Sequence, residues 1–159
     1  MKEVLYRISK DFEAAKKEEL KFIDDEIDIT KKAIEAAREQ GDLSENFDFQ
    51  SNRDKYAKLE HDKNDIIEIL NHCAVVPISY YKYENLSTKD IYEVTIVDPI
   101  ESDLFTLEAI IPISNKSGIA RQISNHEVGD IIDIRKTENG PVEYQVKILA
   151  HDPDYSKNK

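Results

Sequence analysis

Apolar residues in the first half of the chain recur at alternating intervals of three and four, in one segment before Gly41 and another after it. The stripe positions are Leu20, Ile23, Ile27, Thr30, Ile34 and Ala37, then Phe49, Asn52, Tyr56, Leu59, Lys63, Ile66 and Leu70. This alternation is the seam of a two-stranded coiled coil. Because Gly41 suits the left-handed backbone just past a helix end, the pattern predicts two helices that fold back antiparallel.

The first helix is predicted over residues 9–40, and residues 1–8 are predicted to form its start. Leu5, Ile8, Phe12 and Ala15 continue the spacing of three and four toward the amino terminus. Polar residues at three seam positions cost stability but fix the register of a coiled coil. Those residues are Thr30, Asn52 and Lys63.

After Leu70 the pattern changes to short runs rich in β-branched residues, which predict strands at 73–78, 92–97, 104–113, 131–134 and 142–149. Asn139-Gly140 predicts a two-residue type I′ hairpin turn between the last two strands. Residues 117–124 are predicted to form a short helix and residues 80–90 a polar connection. The tail from His151 is predicted to be disordered.

These elements predict an α+β fold with two domains. The first, residues 1–72, is an antiparallel two-helix coiled coil whose tip spans residues 41–49. The second, residues 73–150, is β-rich, and residues 151–159 form the tail. An intramolecular hairpin needs no partner helix, which favours a monomer.

Composition excludes several classes of function. The net charge is −11, from 33 acidic and 22 basic residues, which argues against unaided binding to a nucleic-acid backbone. One cysteine excludes a disulfide framework, and the four histidines lack zinc-ligand spacing. No signal peptide, membrane span or phosphate-binding glycine loop is found, so the sequence predicts a cytoplasmic protein without a membrane partner.

The tip carries two carboxylates, for which spacing alone leaves two interpretations open. Asp42-x-x-Glu45 fits a capping box, in which Asp42 caps the second helix and Glu45 reaches back to the amide of the cap. The same pair could bind a metal ion, although two carboxylates make an incomplete metal site. Capping boxes are common, so spacing alone favours capping.

The residues from Ile34 to Phe49, Ile-Glu-Ala-Ala-Arg-Glu-Gln-Gly-Asp-Leu-Ser-Glu-Asn-Phe-Asp-Phe, resemble the coiled-coil tip of the Gre family of bacterial transcript cleavage factors. The resemblance continues through Arg53. It reappears at Ser117-Gly-Ile-Ala-Arg121 and at Val128-Gly-Asp130. Both halves and their order agree, so the resemblance covers nearly the entire chain.

The resemblance implies an accessory factor, not an enzyme, whose coiled coil enters the secondary channel of bacterial RNA polymerase. There it stimulates cleavage of the 3′ end of backtracked RNA. It implies that Asp42 and Glu45 are catalytic and share a Mg²⁺ ion with the polymerase, an ion not held stably by the factor alone. Two-metal hydrolysis needs such an ion, and Mg²⁺ prefers carboxylate oxygens.

The resemblance also assigns supporting roles. Asn46, Arg38 and Arg53 are implied to contact the polymerase or the nascent RNA 3′ end. Gly41, Ser44, Asp48 and Phe49 are implied to support the tip. The second half is implied to be FKBP-like and to dock on the polymerase. Residue-level alternatives are an early-helix polar role for Asn46, a favourable charge in the last helical turn for Arg38, and a solvated side chain for Arg53.

Departures from the family pattern keep other functions open. Phe47 stands where the family commonly has alanine, Asp48 where it has glutamate, and Phe49 where it has tyrosine. The bulk of Phe47 beside the carboxylates motivates a non-cleaving regulator that occupies the same channel. A stand-alone coiled-coil binding protein is the third hypothesis.

Overall fold

A computed structural model describes residues 3–41, 46–102 and 109–155. Four helices occur in these ranges: α1 (Lys10–Glu39), α2 (Phe47–Asn71), α3 (Pro99–Ser102) and α4 (Gly118–Ile123). The strands are β1 (Tyr6–Ile8), β2 (Cys73–Val75), β3 (Ile78–Asn85), β4 (Ile91–Val97), β5 (Ile111–Ser114), β6 (Ile131–Arg135) and β7 (Val142–Tyr155). Contacts divide the chain into a hairpin unit, Met1–Leu5 with Asp11–Cys73, and a sheet unit, Tyr6–Lys10 with Ala74–Lys159.

The hairpin unit is the predicted antiparallel coiled coil. Its buried cluster consists of Ile23, Ile27 and Ile66, surrounded by the partly buried Leu20, Tyr56, Leu59 and Leu70. Ion pairs join the two helices, at 2.9 Å between Lys55 and Glu26 and at 2.6 Å between Lys63 and Asp24. Later residues of α2 thus pair with earlier residues of α1, so the helices run antiparallel. The predicted α+β class, a helical hairpin followed by a β-rich half, is confirmed.

The three polar seam residues behave differently from one another. Thr30, 1% exposed, donates its hydroxyl to the Glu26 carbonyl at 2.7 Å, and Asn52 donates its amide to the Asp48 carbonyl at 2.8 Å. Both hydrogen bonds stay within one helix. Lys63 bonds across the pair, and its hydrogen bond to Asp24 raises the pKa of the Lys63 ammonium. Of the three, Lys63 has the contact that favours one register.

The sheet unit contains a five-stranded mixed sheet of order β5-β4-β3-β7-β6. β5 pairs parallel with β4, and the remaining neighbours are antiparallel. Buried side chains from four strands and from α4 form its core: Tyr81, Tyr83, Val94, Ile123, Ile132, Ile134, Val146 and Ile148. The predicted helix at 117–124 is confirmed as α4, whose cap Ser117 accepts a hydrogen bond from the Ala120 amide at 3.2 Å.

The prediction that residues 1–8 start the first helix is wrong, because Tyr6–Ile8 form β1, which pairs with β2. Ile8 is fully buried while Leu5 is half exposed, so their shared spacing does not mark a common helix face. The buried Glu101 carboxylate accepts hydrogen bonds from the Ser9 amide at 2.9 Å and from the Ser9 hydroxyl. Residues 6–10 therefore belong to the sheet unit, whereas the predicted first domain included them.

Two other segments predicted to be irregular are strands. Most of 80–90 lies in β3, the central strand, where Tyr81 and Tyr83 alternate with the less buried Lys82 and Glu84. The predicted disordered tail is wrong over 151–155, because β7 continues to Tyr155. The Tyr155 ring stacks on Tyr80 with centroids 5.1 Å apart. Residues 156–159 lie outside the described ranges, as do residues 104–108 of the predicted strand 104–113. In the described part of that prediction, β5 begins at Ile111 and ends at Ser114.

The hairpin between β6 and β7 is confirmed, but its turn is not the predicted type I′. Neither Asn139 nor Gly140 has positive φ, and a turn closes instead where the Gly140 amide donates to the Thr137 carbonyl at 2.9 Å. Pro141 explains the difference. A two-residue turn needs the amide of the residue after Gly140, which proline lacks, and proline restricts the preceding residue to extended backbone.

Candidate functional site

The candidate site is the end of the hairpin where α1 and α2 meet. Three predicted site residues, Asp42, Ser44 and Glu45, lie in 42–45, outside the described residues. The flanking residues Gly41 and Asn46 are described. The local geometry therefore comes from the last turn of α1 and the first turns of α2.

Gly41 has the positive φ that the sequence predicts, +123°. α1 ends at Glu39, and the Gln40 amide donates to the Ala37 carbonyl at 3.3 Å. A Cβ added at Gly41 would meet nothing within 4 Å. The glycine is thus required for its backbone conformation and not for space.

Asn46 joins the two helices. Its Oδ1 accepts a hydrogen bond from the Phe49 amide at 3.0 Å, which makes Asn46 the N-cap of α2. Its Nδ2 donates to the Ala37 carbonyl, in the last turn of α1, at 2.7 Å. The predicted capping role of Asp42 is wrong, because the cap of a helix that begins at Phe47 is residue 46. The alternative interpretation, that Asn46 is only a polar residue early in the helix, does not account for its two hydrogen bonds.

Phe49 is the buried aromatic residue of this end, 7% exposed. The guanidinium carbons of Arg38 and Arg53 lie 5.6 and 5.7 Å from its ring centroid, within the range of cation–π attraction. Within residues 3–41, 46–102 and 109–155, no carboxylate forms an ion pair with either guanidinium. Two exposed arginines are therefore held on one ring with their charges uncompensated by a described carboxylate.

A second cation–aromatic contact lies seven residues farther from the tip on each helix. The Lys31 ammonium is 5.9 Å from the Tyr56 ring centroid. Arg38 and Lys31 are one heptad apart on α1, as Phe49 and Tyr56 are on α2. Sequence reasoning missed this contact, although the shared heptad spacing was a usable signal.

Asp48 and Phe47 are both exposed in the first turn of α2. A carboxylate at that place is favourable for the partial positive charge of a helix amino terminus. The Phe47 side chain is 78% exposed. The sequence did not predict that this side chain is exposed to solvent, because Phe47 lies at the end of the seam, where the heptad pattern assigns it no position.

One cluster of metal-ligand residue types lies away from the tip. His61, Asp62 and Asp65 bring their ligand atoms within 4.8 Å of one another, although the histidine spacing did not suggest a site. His61 and Asp65 form an exposed i,i+4 pair at 3.1 Å. Such a pair is ordinary on a solvated helix face.

In the described ranges, no helix is long and apolar enough to cross a membrane.

Similarity to known proteins identifies the family. A family model described as "Transcription elongation factor, N-terminal" matches residues 6–75. Transcription elongation factor GreA of Mycoplasmoides gallisepticum is 32% identical over 75% of this chain and 79% of its own length. GreA of Mesoplasma florum is 31% identical over 70% and 75%. The Gfh1 protein of Thermus thermophilus aligns over 95% of this chain and 99% of its own, at 18% identity and a TM-score of 0.42. The family model and the two GreA matches show that this chain belongs to the GreA family of transcription elongation factors.

Proposed function

We propose that this chain binds bacterial RNA polymerase as an accessory factor and stimulates cleavage of the 3′ end of backtracked RNA. The hairpin enters the secondary channel of the polymerase, and the polymerase active centre performs the hydrolysis. Membership of the GreA family supports this function. The factor itself is not an enzyme, acts as a monomer and works in the cytoplasm.

The cap formed by Asn46 is the observation that carries the proposal. Because Asn46 caps α2, neither Asp42 nor Glu45 is needed for the capping box that spacing alone favoured. The two residues that flank 42–45 are fixed, Gly41 by its backbone conformation and Asn46 by its hydrogen bond to Ala37. Capping of α2 therefore requires neither carboxylate, and this supports a role for the pair toward a partner.

Asp42 and Glu45 would hold a Mg²⁺ ion together with carboxylates of the polymerase. Their oxygens are the hard ligands that Mg²⁺ prefers, and the pair is too small to form a complete site alone. When bound, the ion supplies a hydroxide nucleophile and stabilises charge at the scissile phosphate. The contribution of this chain is to position the two carboxylates.

Arg38 and Arg53 would contact the RNA phosphates or the polymerase. Both guanidinium groups pack on the buried Phe49 ring, which limits their conformational freedom before binding. A planar guanidinium is suited to phosphate oxygens. These two cations provide local attraction in a chain whose net charge of −11 otherwise opposes nucleic acid.

A transcript cleavage assay tests the proposal. Backtracked complexes assembled with a matching polymerase and Mg²⁺ are given the wild-type chain, the Asp42→Asn, Glu45→Gln double variant, or Glu39→Gln as a charge control from the end of α1. We expect the wild type and the control to release short 3′ RNA fragments and the double variant to lose at least 100-fold in rate, the order of magnitude for a removed electrostatic group in an active site. Equal rates for the wild type and the double variant would reject the catalytic role of the tip.

A non-cleaving regulator of the same channel is the second candidate. The 78% exposed Phe47, where the family commonly has alanine, favours it because the ring adds bulk beside the carboxylates. Polymerase binding without RNA shortening would support this candidate. A chain that fails to co-purify with polymerase would instead act as a stand-alone coiled-coil binding protein.

A further inference from the structure

Phe47 is the most exposed large apolar side chain among the described residues. Its backbone is held in place, since it is the first residue of α2 and follows the cap Asn46. Single exposed apolar residues are common on protein surfaces and by themselves need no explanation. Phe47 differs from such residues because two exposed cations occur at the same end of the hairpin.

The same end of the hairpin carries the exposed Arg38 and Arg53, which lack ion-pair partners in the described part of the chain. Exposed cations together with an exposed aromatic ring are the combination by which proteins bind single-stranded nucleic acid, with phosphates on the cations and bases on the ring. Phe49 cannot offer its ring to a base, because it is 7% exposed and two guanidinium groups lie near it. Among the described residues at this end of the hairpin, Phe47 is the aromatic residue whose ring is exposed.

We infer that the Phe47 ring stacks on an unpaired base of the extruded RNA 3′ end. The inference rests on the proposed function, which brings that RNA to the tip. A phenyl ring has no hydrogen-bonding group, so the contact tolerates any base. Stacking forms when the complex assembles and does not change the charge at the scissile phosphate. Phe47 thus lowers the concentration of factor needed for cleavage and leaves the maximal rate unchanged.

The experiment uses the full chain and polymerase complexes backtracked by two nucleotides. The RNA ends either in two natural nucleotides or in two abasic nucleotides. The variants are Phe47→Ala, Phe47→Leu and Phe47→Tyr, with Phe22→Ala as a control that removes a 65% exposed ring from the middle of α1. The half-saturating concentration and the maximal cleavage rate are measured separately, and binding to the complexes is measured by fluorescence anisotropy.

On natural RNA we expect Phe47→Ala and Phe47→Leu to raise the half-saturating concentration about tenfold, a factor within the range of base–aromatic stacking. Phe47→Tyr and Phe22→Ala should match the wild type. On abasic RNA the difference between wild type and Phe47→Ala should disappear. A loss that persists on abasic RNA would mean that the ring contacts the polymerase, and this would overturn the inference. Full affinity of Phe47→Ala or Phe47→Leu would also overturn it.

The binding measurement separates failure of this inference from failure of the proposed function. If the wild type binds the complexes but cleaves nothing, the cleavage proposal fails, and the anisotropy difference between natural and abasic RNA still decides whether Phe47 stacks on a base. If the wild type does not bind the complexes, both fail together. If the Asp42→Asn, Glu45→Gln variant binds without cleaving and keeps the preference for natural RNA, both stand.

Discussion

The hairpin unit and the sheet unit are stabilised by different means. Three side chains form the buried cluster of the hairpin, whereas eight form that of the sheet. The hairpin instead places specific polar contacts between its helices, at Asn46 and at the Lys55 and Lys63 ion pairs. Removal of buried side-chain volume should therefore destabilise the sheet unit most. Removal of a particular hydrogen bond should destabilise the tip of the hairpin most.

The largest expected effect is a core truncation in the sheet. Ile148→Ala removes a fully buried side chain and should lower the free energy of unfolding by about 4 kcal/mol, since the surrounding strands cannot close the cavity. Ile27→Ala in the hairpin should cost about 2 kcal/mol, because two helices alone can shift to fill the space. Both losses in the free energy of unfolding are measured by denaturant unfolding, monitored separately in the hairpin unit and in the sheet unit. Ile131→Ala, at a 59% exposed position, is the control, and equal losses for the two core variants would contradict the comparison.

Asn46 provides the next test. Asn46→Ala removes the cap of α2 and a hydrogen bond between the helices, and should lower the free energy of unfolding by about 2 kcal/mol. The measurement is hydrogen exchange, which should become faster at the Phe49 and Gln50 amides. Asn46→Asp keeps the capping oxygen and loses the donor to Ala37, so it should retain α2 protection while weakening the link to α1.

Asn52→Ala is the matched control for Asn46, since the Asn52 amide donates to the Asp48 carbonyl within α2. Exchange at the tip should stay near wild type in this variant. If Asn52→Ala exposed the tip as strongly as Asn46→Ala, the bond to Ala37 would not be what joins the helices there.

A smaller effect is expected at Gly41. Gly41→Ala places a Cβ on a residue with φ of +123° and should destabilise the hairpin by about 1 kcal/mol. Gly118→Ala, in the first turn of α4 with negative φ, should be neutral or stabilising by about 0.5 kcal/mol. Thermal unfolding of the two variants compares them. A Gly41→Ala variant as stable as wild type would show that the tip adopts another backbone conformation.

The smallest effect belongs to the exposed ion pairs. Lys55→Gln breaks the pair with Glu26 and should cost no more than about 0.5 kcal/mol, decreasing as salt is added. Lys17→Gln, which breaks the pair with Glu13 inside α1, is the control for a contact that does not join the helices. A loss above about 1 kcal/mol for Lys55→Gln would show that this pair contributes more to the hairpin than an exposed ion pair ordinarily does.

Sequence patterns predicted the hairpin well because the heptad period is a local signal repeated many times. Gly41 was predicted for the same kind of reason, since left-handed backbone strongly favours one residue type. β1 was missed because three residues cannot display a period, and β3 because its tyrosines alternate with charged residues in a segment that reads as polar. The cap was misassigned because Asp42 and Asn46 are both good capping residues, and only the position of the first helical turn decides between them.

The assignment of residues 6–10 has a consequence for exchanging parts between relatives. The polypeptide leaves the sheet unit after Lys10 and returns to it at Ala74, so the intervening stretch is topologically an insertion with two junctions. Ser9, bonded to Glu101, marks one of them. A chimera spliced only near residue 75, where the match to the N-terminal family model ends, would import a foreign first strand with the donor hairpin. Splicing at both junctions, after Lys10 and before Ala74, would transfer the two helices without β1.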